Sequence, residues 1–243
     1  MSTEDSKQLQ DKMDASAQAI FHVQWRIYRK IVDCNYFFHR EVYARLNQIL
    51  CEEAVQPFRF LDIACGDAGS SVAALADTRI AHYHGIDQSA AALALARPAL
   101  TALPCPVTLE QRDFVEALND CPPTVDVAWI GLSLHHLQTP EKLDVMQDIR
   151  ASLNEGGLLV IYEPTSPEGE ERAEWLRRWE SQQPLWTGYT AEEWHAVSAH
   201  VHAADHPETI SGWHALGRDA GFSSVEEVFA APTDLFRMFC FRA

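Results

Sequence analysis

Apolar positions in this chain follow two rhythms, short unbroken runs and longer stretches at helical spacing, and the two take turns. Phe58 to Ile63 is an apolar run holding one acid, Asp62, and it gives way to the small residues Ala64-Cys65-Gly66-Asp67-Ala68-Gly69. The run predicts a buried strand, and the small residues predict a tight turn where a ligand meets the backbone closely. An Ala/Leu-rich stretch, Ser70 to Ala76, predicts a helix after that turn. Further strands are predicted at His82 to Gln88, at Val107 to Asp113 and from Val125 into the loop ending at Leu137. A turn at Asn154-Glu155-Gly156-Gly157 leads to another strand, Leu158 to Tyr162, followed by Glu163-Pro164. Between the fourth and fifth strands, Thr139 suits a helix cap and Pro140 a first turn, with Leu143, Met146, Ile149 and Leu153 on the apolar face. Strand, small-residue turn and helix in alternation is the grammar of a doubly wound α/β sheet.

The flanks read differently. Met1 to Asp14 is polar and acid-rich, and is expected to be a disordered tail. Residues 15–55 form a helical prelude in which Trp25, Tyr28 and Val32, and later Tyr36, Arg40, Tyr43 and Leu46, recur at helical spacing. After Pro164 comes a helical insertion at about 167–208, then a helix from Ser211 to Ala220 closed by Gly221-Phe222. Val225 to Ala230 and Leu235 to Arg242, joined by Ala231-Pro232-Thr233-Asp234, predict two antiparallel closing strands, an ending that dinucleotide-binding sheets lack.

The pattern Ala64-x-Gly66-x-x-Gly69 departs from a dinucleotide fingerprint by one glycine and is ambiguous alone. Asp62 shifts the balance. A carboxylate at the end of the first strand would repel a phosphate held there, but it suits a ligand with a cationic end such as an amino group. S-adenosylmethionine carries an amino group and no phosphate.

The segment from Phe60 to Ser70 resembles the first motif of class I S-adenosylmethionine-dependent methyltransferases, and the later segments continue the resemblance in order over roughly residues 57–165. The resemblance implies a Rossmann-like, mostly parallel seven-stranded sheet with a C-terminal antiparallel strand pair, an N-terminal helical lid and a helical insertion after the fifth strand. It implies methyl transfer from S-adenosylmethionine, leaving S-adenosylhomocysteine. Asp62, Ala64, Gly66 and Asp67 would hold the cofactor at the first turn, Asp87 and Gln88 at the ribose, Asp113 and Phe114 at the adenine, and Leu132 beyond the fourth strand. The family often has glycine where this chain has Ala64 and Ala68, so the cradle is bulkier here.

His135 and His136, in the loop where the family's acceptor usually sits, are the expected catalytic pair, with His136 favoured; the alternative is that they only shape the pocket. Tyr36, His39, Arg40 and Glu163 are the expected substrate contacts, Glu163 either orienting an amine acceptor or merely capping or salt-bridging. Trp175, Trp179, Trp186 and Trp194 read as core or as aromatic walls of a substrate site. His200, His202, Asp205 and His206 resemble a ligand cluster, but His200 and His202 point apart on a helix, and no metal is expected.

Composition narrows the partners. The chain has 243 residues, 47% of them hydrophobic, enough for one α/β domain over residues 56–243 with a full core. A formal charge of −16 and no long basic run argue against nucleic acid, and no stretch reaches the roughly 20 apolar residues that span a bilayer. Six scattered cysteines support neither structural zinc nor a disulfide framework. The expectation is a cytoplasmic methyltransferase acting on O, N or C of a small-molecule acceptor, with a homodimer through the N-terminal helices as a further guess. The alternatives are a cofactor-binding relative that transfers no methyl group and, more remotely, a NAD-dependent oxidoreductase.

Overall fold

A computed structural model describes residues 27–120 and 124–243. The expected disordered tail, the first part of the helical prelude with Phe21 and Trp25, and Cys121 lie outside the described residues.

Two helices open the described chain: α1 at 27–33, then α2 (His39–Glu53) beyond a turn in which Asn35 and Phe38 take positive φ. Three strand–helix units follow: β1 (Phe58–Ile63) with α3 (Gly69–Ala74), β2 (Ile80–Asp87) with α4 (Ala90–Leu100), and β3 (Val107–Gln111) with α5 (Phe114–Asp120). Next come β4 (Val125–Gly131), α6 (Thr139–Ser152) and β5 (Leu153–Ser166). The insertion carries α7 (Arg172–Glu180) and α8 (Ala191–Ala204). The chain closes with β6 (Glu208–Thr209), α9 (Ile210–Asp219), β7 (Ser224–Ala230) and β8 (Phe236–Arg242).

The sheet order is β3-β2-β1-β4-β5-β8-β7, with the two-residue β6 added off this path beside β5. Pairings among β1 to β5 are parallel, while β8 runs antiparallel to both β5 and β7. The expected seven-stranded sheet with its antiparallel ending is therefore present, with β6 as a small addition. Chain order reverses direction between β1 and β4, the switch point at which open α/β sheets bind ligands beyond their strand ends.

Both faces of the sheet are covered. Phe58, Phe60, Tyr83, Trp129 and Val160 pack on one face with α2 and the tryptophans of α7 and α8. Leu61, Ile63, Ala128, Ile130 and Leu159 pack on the other with α6 and α9. Strand alternation puts Asp62 on the first face, so its carboxylate enters an aromatic environment.

Two local readings are adjusted. Gln138, not Thr139, is the N-cap of α6, because Glu141 reaches back to accept the Gln138 N–H at 2.7 Å; Pro140 keeps its place in the first turn. The fifth strand is also longer than the run Leu158 to Tyr162. Register against β4 jumps from Val125↔Leu153 to Val127↔Leu158, so 154–157 bulge out of the strand at Gly156, φ +74°. Glu163 and Pro164 stay in the strand because β8 pairs with them through Arg237 and Phe236.

Candidate active site

Beyond the carboxyl ends of β1, β2 and β4 lies a cavity of about 500 Å³. Its floor is the turn after β1. Gly66 has φ +55°, and a Cβ there would meet nothing within 4 Å, so the residue opens directly onto the cavity. Ala64 and Ala68 also have φ 55°, the left-handed region where an L side chain costs roughly 1–2 kcal/mol. The turn demands glycine geometry at three places and this chain supplies glycine at one.

Every residue expected to hold the cofactor lines this cavity: Asp62, Ala64, Gly66, Asp67, Asp87, Gln88, Asp113, Phe114 and Leu132. Asp62 is 1% exposed and accepts the Tyr83 hydroxyl at 2.6 Å. Burial raises its pKa to about 6, against hydrogen bonds from Ser71 and Tyr83 that pull it down, while Asp87 and Asp67 add to the rise. Asp87 joins two elements: one oxygen accepts Gly66 N–H and the other Ser89 N–H, both at 2.8 Å. Asp113 caps α5 by accepting Val115 N–H at 2.9 Å. Four carboxylates facing one cavity favour a ligand that brings positive charge and hydroxyl or amino donors.

The near wall comes from α1, within the segment expected as a helical lid. Tyr28, Arg29 and Val32 line the cavity, and Arg29 crosses its mouth to Asp67 at 3.4 Å. Trp129 and Tyr43 complete the aromatic side.

A second cavity of about 400 Å³ adjoins the first, and Tyr28, Leu132 and His136 line both. Its body is apolar, built by Ile27, Ile31, Phe37, Trp179, Val197 and Phe236. Its polar groups are His135, His136, His200 and Asp205. Leu132, φ 55°, turns the chain between the cavities and is held by its N–H to the Tyr162 carbonyl at 2.8 Å.

The two histidines differ sharply. His135 is 6% exposed, and its Nδ1 lies 2.7 Å from Oε2 of Glu163. Glu163 is fully buried, and its carboxylate also accepts the backbone N–H groups of Ser133 and Leu134 at 3.0 Å and of His135 at 3.3 Å. Burial works against charge on His135, but the hydrogen bond and charge of Glu163, with Asp205 behind, outweigh it and raise the pKa. His136 stands at the seam of the cavities, more exposed, its pKa lowered to about 4 by burial first and then by His135 and His200. Asp205 follows α8; its Oδ1 lies 3.6 Å from His135 Nε2 and 4.0 Å from His136 Nδ1. The Asp205 carboxyl is raised by burial, against the attraction of His135.

The expected substrate contacts fall elsewhere. Tyr36 stacks on Trp186 at 4.4 Å and accepts Gly188 N–H at 2.7 Å, joining the α1–α2 turn to the insertion. His39 is buried beside Tyr28, 3.3 Å away, and with Arg40 borders a third pocket rather than either cavity. Burial lowers the His39 pKa to about 4. Glu163 is consumed by His135 and the backbone, so of its two expected roles the capping and salt-bridging one is observed. The predicted separation of the α8 histidines is also seen: His200 packs edge-on to His136 at 5.2 Å, while His202 pairs with Glu180 at 2.8 Å and His206 with Gln138 at 2.9 Å.

Residues 60–157 match the family described as Methyltransferase domain. That matched segment, about two fifths of the chain, is the one that carries the sequence resemblance to class I methyltransferases. Among solved structures the chain is similar to an O-methyltransferase family protein from Burkholderia thailandensis (16% identity, 81% of this chain and 54% of that one, TM-score 0.57). It is also similar to the mitomycin 7-O-methyltransferase MmcR (16%, 90% and 60%, TM-score 0.54) and to PigF with SAH (18%, 76% and 50%, TM-score 0.51). These likenesses are of fold, and this chain spans only half to three fifths of each of those proteins. No curated protein matches it. Among the described residues no helix is long and apolar enough to cross a membrane.

Proposed function

We propose that this protein is an S-adenosylmethionine-dependent methyltransferase that alkylates a small organic acceptor with an apolar, flat body and a polar end, held in the second cavity against the methyl donor in the first. The observation that carries the reading is the shared wall: Tyr28, Leu132 and His136 border both cavities, so ligands in the two would meet there. A volume of about 400 Å³ lies in the range of small-ligand sites.

The bound cofactor supplies a methyl group already activated on a sulfonium. The protein's task is alignment, worth roughly 7–11 kcal/mol at its best. Asp62 receives the cofactor's ammonium, Asp87 its ribose hydroxyls, and Asp113 with Phe114 its adenine. Arg29 and Tyr28 of α1 act as the lid. Phe37, Trp179 and Phe236 grip the acceptor's body, and His136 at the seam orients the atom to be methylated. The O-methyltransferase names of two similar structures favour an oxygen acceptor over nitrogen or carbon.

Calorimetric titration with S-adenosylmethionine, S-adenosylhomocysteine and NAD, repeated on Asp87→Ala, tests the donor side. Saturable binding of both adenosyl ligands, weakened in the variant, is expected; binding of NAD alone overturns the reading. Transfer of label from methyl-tritiated S-adenosylmethionine to a panel of hydroxylated and aminated aromatic compounds tests the acceptor side. Activity confined to charged aliphatic acceptors would contradict the apolar second cavity.

A further inference from the structure

The polar end of the second cavity holds a feature that methyl transfer does not by itself require. His135, His136 and Asp205 each offer one ligand atom, these atoms lie within 4.8 Å of one another, and all three residues line the cavity. We propose that they bind a divalent transition-metal ion whose open coordination position faces the acceptor.

Three observations converge. The first is distance. Bonds of 2.0–2.2 Å to a tetrahedral ion separate its ligands by roughly 3.3–3.5 Å. The separations from Asp205 Oδ1, 3.6 Å to His135 Nε2 and 4.0 Å to His136 Nδ1, are within several tenths of an ångström of that spacing. The second is an orphan atom. Asp205 is 5% exposed, and its Oδ1 is buried with no hydrogen-bond donor. Both histidine nitrogens are too far to supply one, and a buried oxygen left so is costly. Arg172, the nearby cation, donates to the Asp205 backbone carbonyl at 2.6 Å instead. The third is orientation. Glu163 takes the His135 Nδ1 side at 2.7 Å, which leaves Nε2 as the free nitrogen and turns it toward Asp205. A carboxylate behind a histidine is the usual support of a metal-ligating imidazole.

Charge points the same way. Glu163 and Asp205 put two carboxylates in a nearly dry site, which one divalent ion balances. Lys142, the buried ammonium close by, is already held by Glu208 at 2.7 Å and the His206 carbonyl at 2.6 Å. An imidazolium at His135 would balance one charge but still leave Asp205 Oδ1 beyond hydrogen-bond reach. Two imidazole nitrogens and one carboxylate suit Zn²⁺ or Co²⁺ rather than Mg²⁺, which prefers oxygen ligands and keeps its waters. His200, edge-on to His136, is placed to approach as a further ligand.

The role assigned to the ion rests on the methyl-transfer reading. An acceptor hydroxyl bound to it loses its proton to water more readily. The oxygen lone pair then forms the O–CH₃ bond as the S–CH₃ bond breaks, its electron pair passing to sulfur.

The test uses full-length, untagged protein stripped with a chelator and titrated with cobalt(II) chloride, read by visible ligand-field absorption, and with zinc chloride, read by calorimetry. One ion per chain with tetrahedral or five-coordinate cobalt bands is expected. Asp205→Asn and His136→Ala should each weaken binding at least tenfold, Glu163→Gln by about 10–100-fold, and His202→Ala not at all. Circular dichroism confirms that each variant is folded, and the more exposed His136 gives a variant whose folding is not in question. Absence of saturable binding by the wild type, or equal binding by Asp205→Asn and His136→Ala, overturns the proposal. No methyl donor is present, so the result is independent of the calorimetry with adenosyl ligands.

Discussion

Glu163 holds His135 at 2.7 Å while the same carboxylate accepts three backbone N–H groups of the loop after β4. One buried side chain thus fixes both the path of the active-site loop and the face His135 turns to the second cavity. Glu163→Ala leaves those donors and the imidazole without a partner. Losing one member of such a buried pair costs about 3–5 kcal/mol. Urea denaturation should show that loss, and a change below 1 kcal/mol would mean that water replaces the carboxylate.

Asp62 links stability and function in opposite senses. Its pKa is raised from 3.8 to about 6, so the folded protein holds this proton more tightly than the unfolded chain does. Its contribution is therefore fully present below pH ~4 and lost as pH rises through about 6, on the order of 3 kcal/mol in total. Asp62→Asn keeps an acceptor for the Tyr83 hydroxyl without the buried charge. It should raise the melting temperature of the ligand-free protein at pH 7 and weaken S-adenosylmethionine binding at least tenfold. A variant that is both less stable and unchanged in binding contradicts this account of the residue.

The same group sets a pH dependence for the donor. An ammonium is drawn to the ionised carboxylate, so affinity for S-adenosylmethionine should be level above pH ~6.5 and fall up to tenfold per pH step below about 6. Calorimetry from pH 5 to 8 reads this directly, and the slope should vanish in Asp62→Asn.

Ala64 carries left-handed strain in the cofactor turn. Replacing it with glycine removes roughly 1–2 kcal/mol of strain but returns about 0.5–1 kcal/mol in backbone entropy. Ala64→Gly should therefore stabilise slightly, by up to about 1 kcal/mol, and should tighten donor binding or leave it alone. A clear destabilisation would mean that the alanine methyl makes contacts worth more than the strain.

Trp179 is 1% exposed and stands between the aromatic cluster and the second cavity. Truncation to alanine removes a large fully buried side chain, at a cost of about 3–5 kcal/mol. Trp179→Phe keeps most of the packing, loses an indole N–H that has no partner, and enlarges the cavity. The phenylalanine variant should stay folded and accept bulkier acceptors with a raised KM for small ones; an unaltered acceptor profile would remove Trp179 from the acceptor wall.

The donor side of the site was readable from sequence because it is built locally. Strand, turn and helix are continuous there, so Asp62, Gly66, Asp87 and Asp113 fall at strand ends by spacing alone, and all four line the first cavity. The acceptor side was not. Its walls join α1, the segment around Phe37, α7, α8 and Phe236, residues about 140 to 200 positions apart that no local rhythm connects. Tyr28 was visible only as one aromatic at helical spacing, which core and cavity wall satisfy equally. Tyr36, His39 and Arg40 looked like site residues because they combine aromatic and basic groups, yet in this turn, where Asn35 and Phe38 take positive φ, it is Phe37 that lines the second cavity. Asp205 was noticed for its histidine neighbours in sequence, whereas its carboxylate faces His135 and His136, about 70 residues earlier.

Consecutive residues of α1 wall both cavities, Ile27 and Ile31 one side, Arg29 and Val32 the other, with Tyr28 common to both. The two compartments therefore share one door. On the proposed reading, a displacement of that helical turn large enough to admit an acceptor would also unseal the adenosyl side, and the two products would be freed in a single event. Turnover in such an arrangement has one opening rate rather than two, and salt, viscosity or a substitution at Arg29 would change the departure of both products in step.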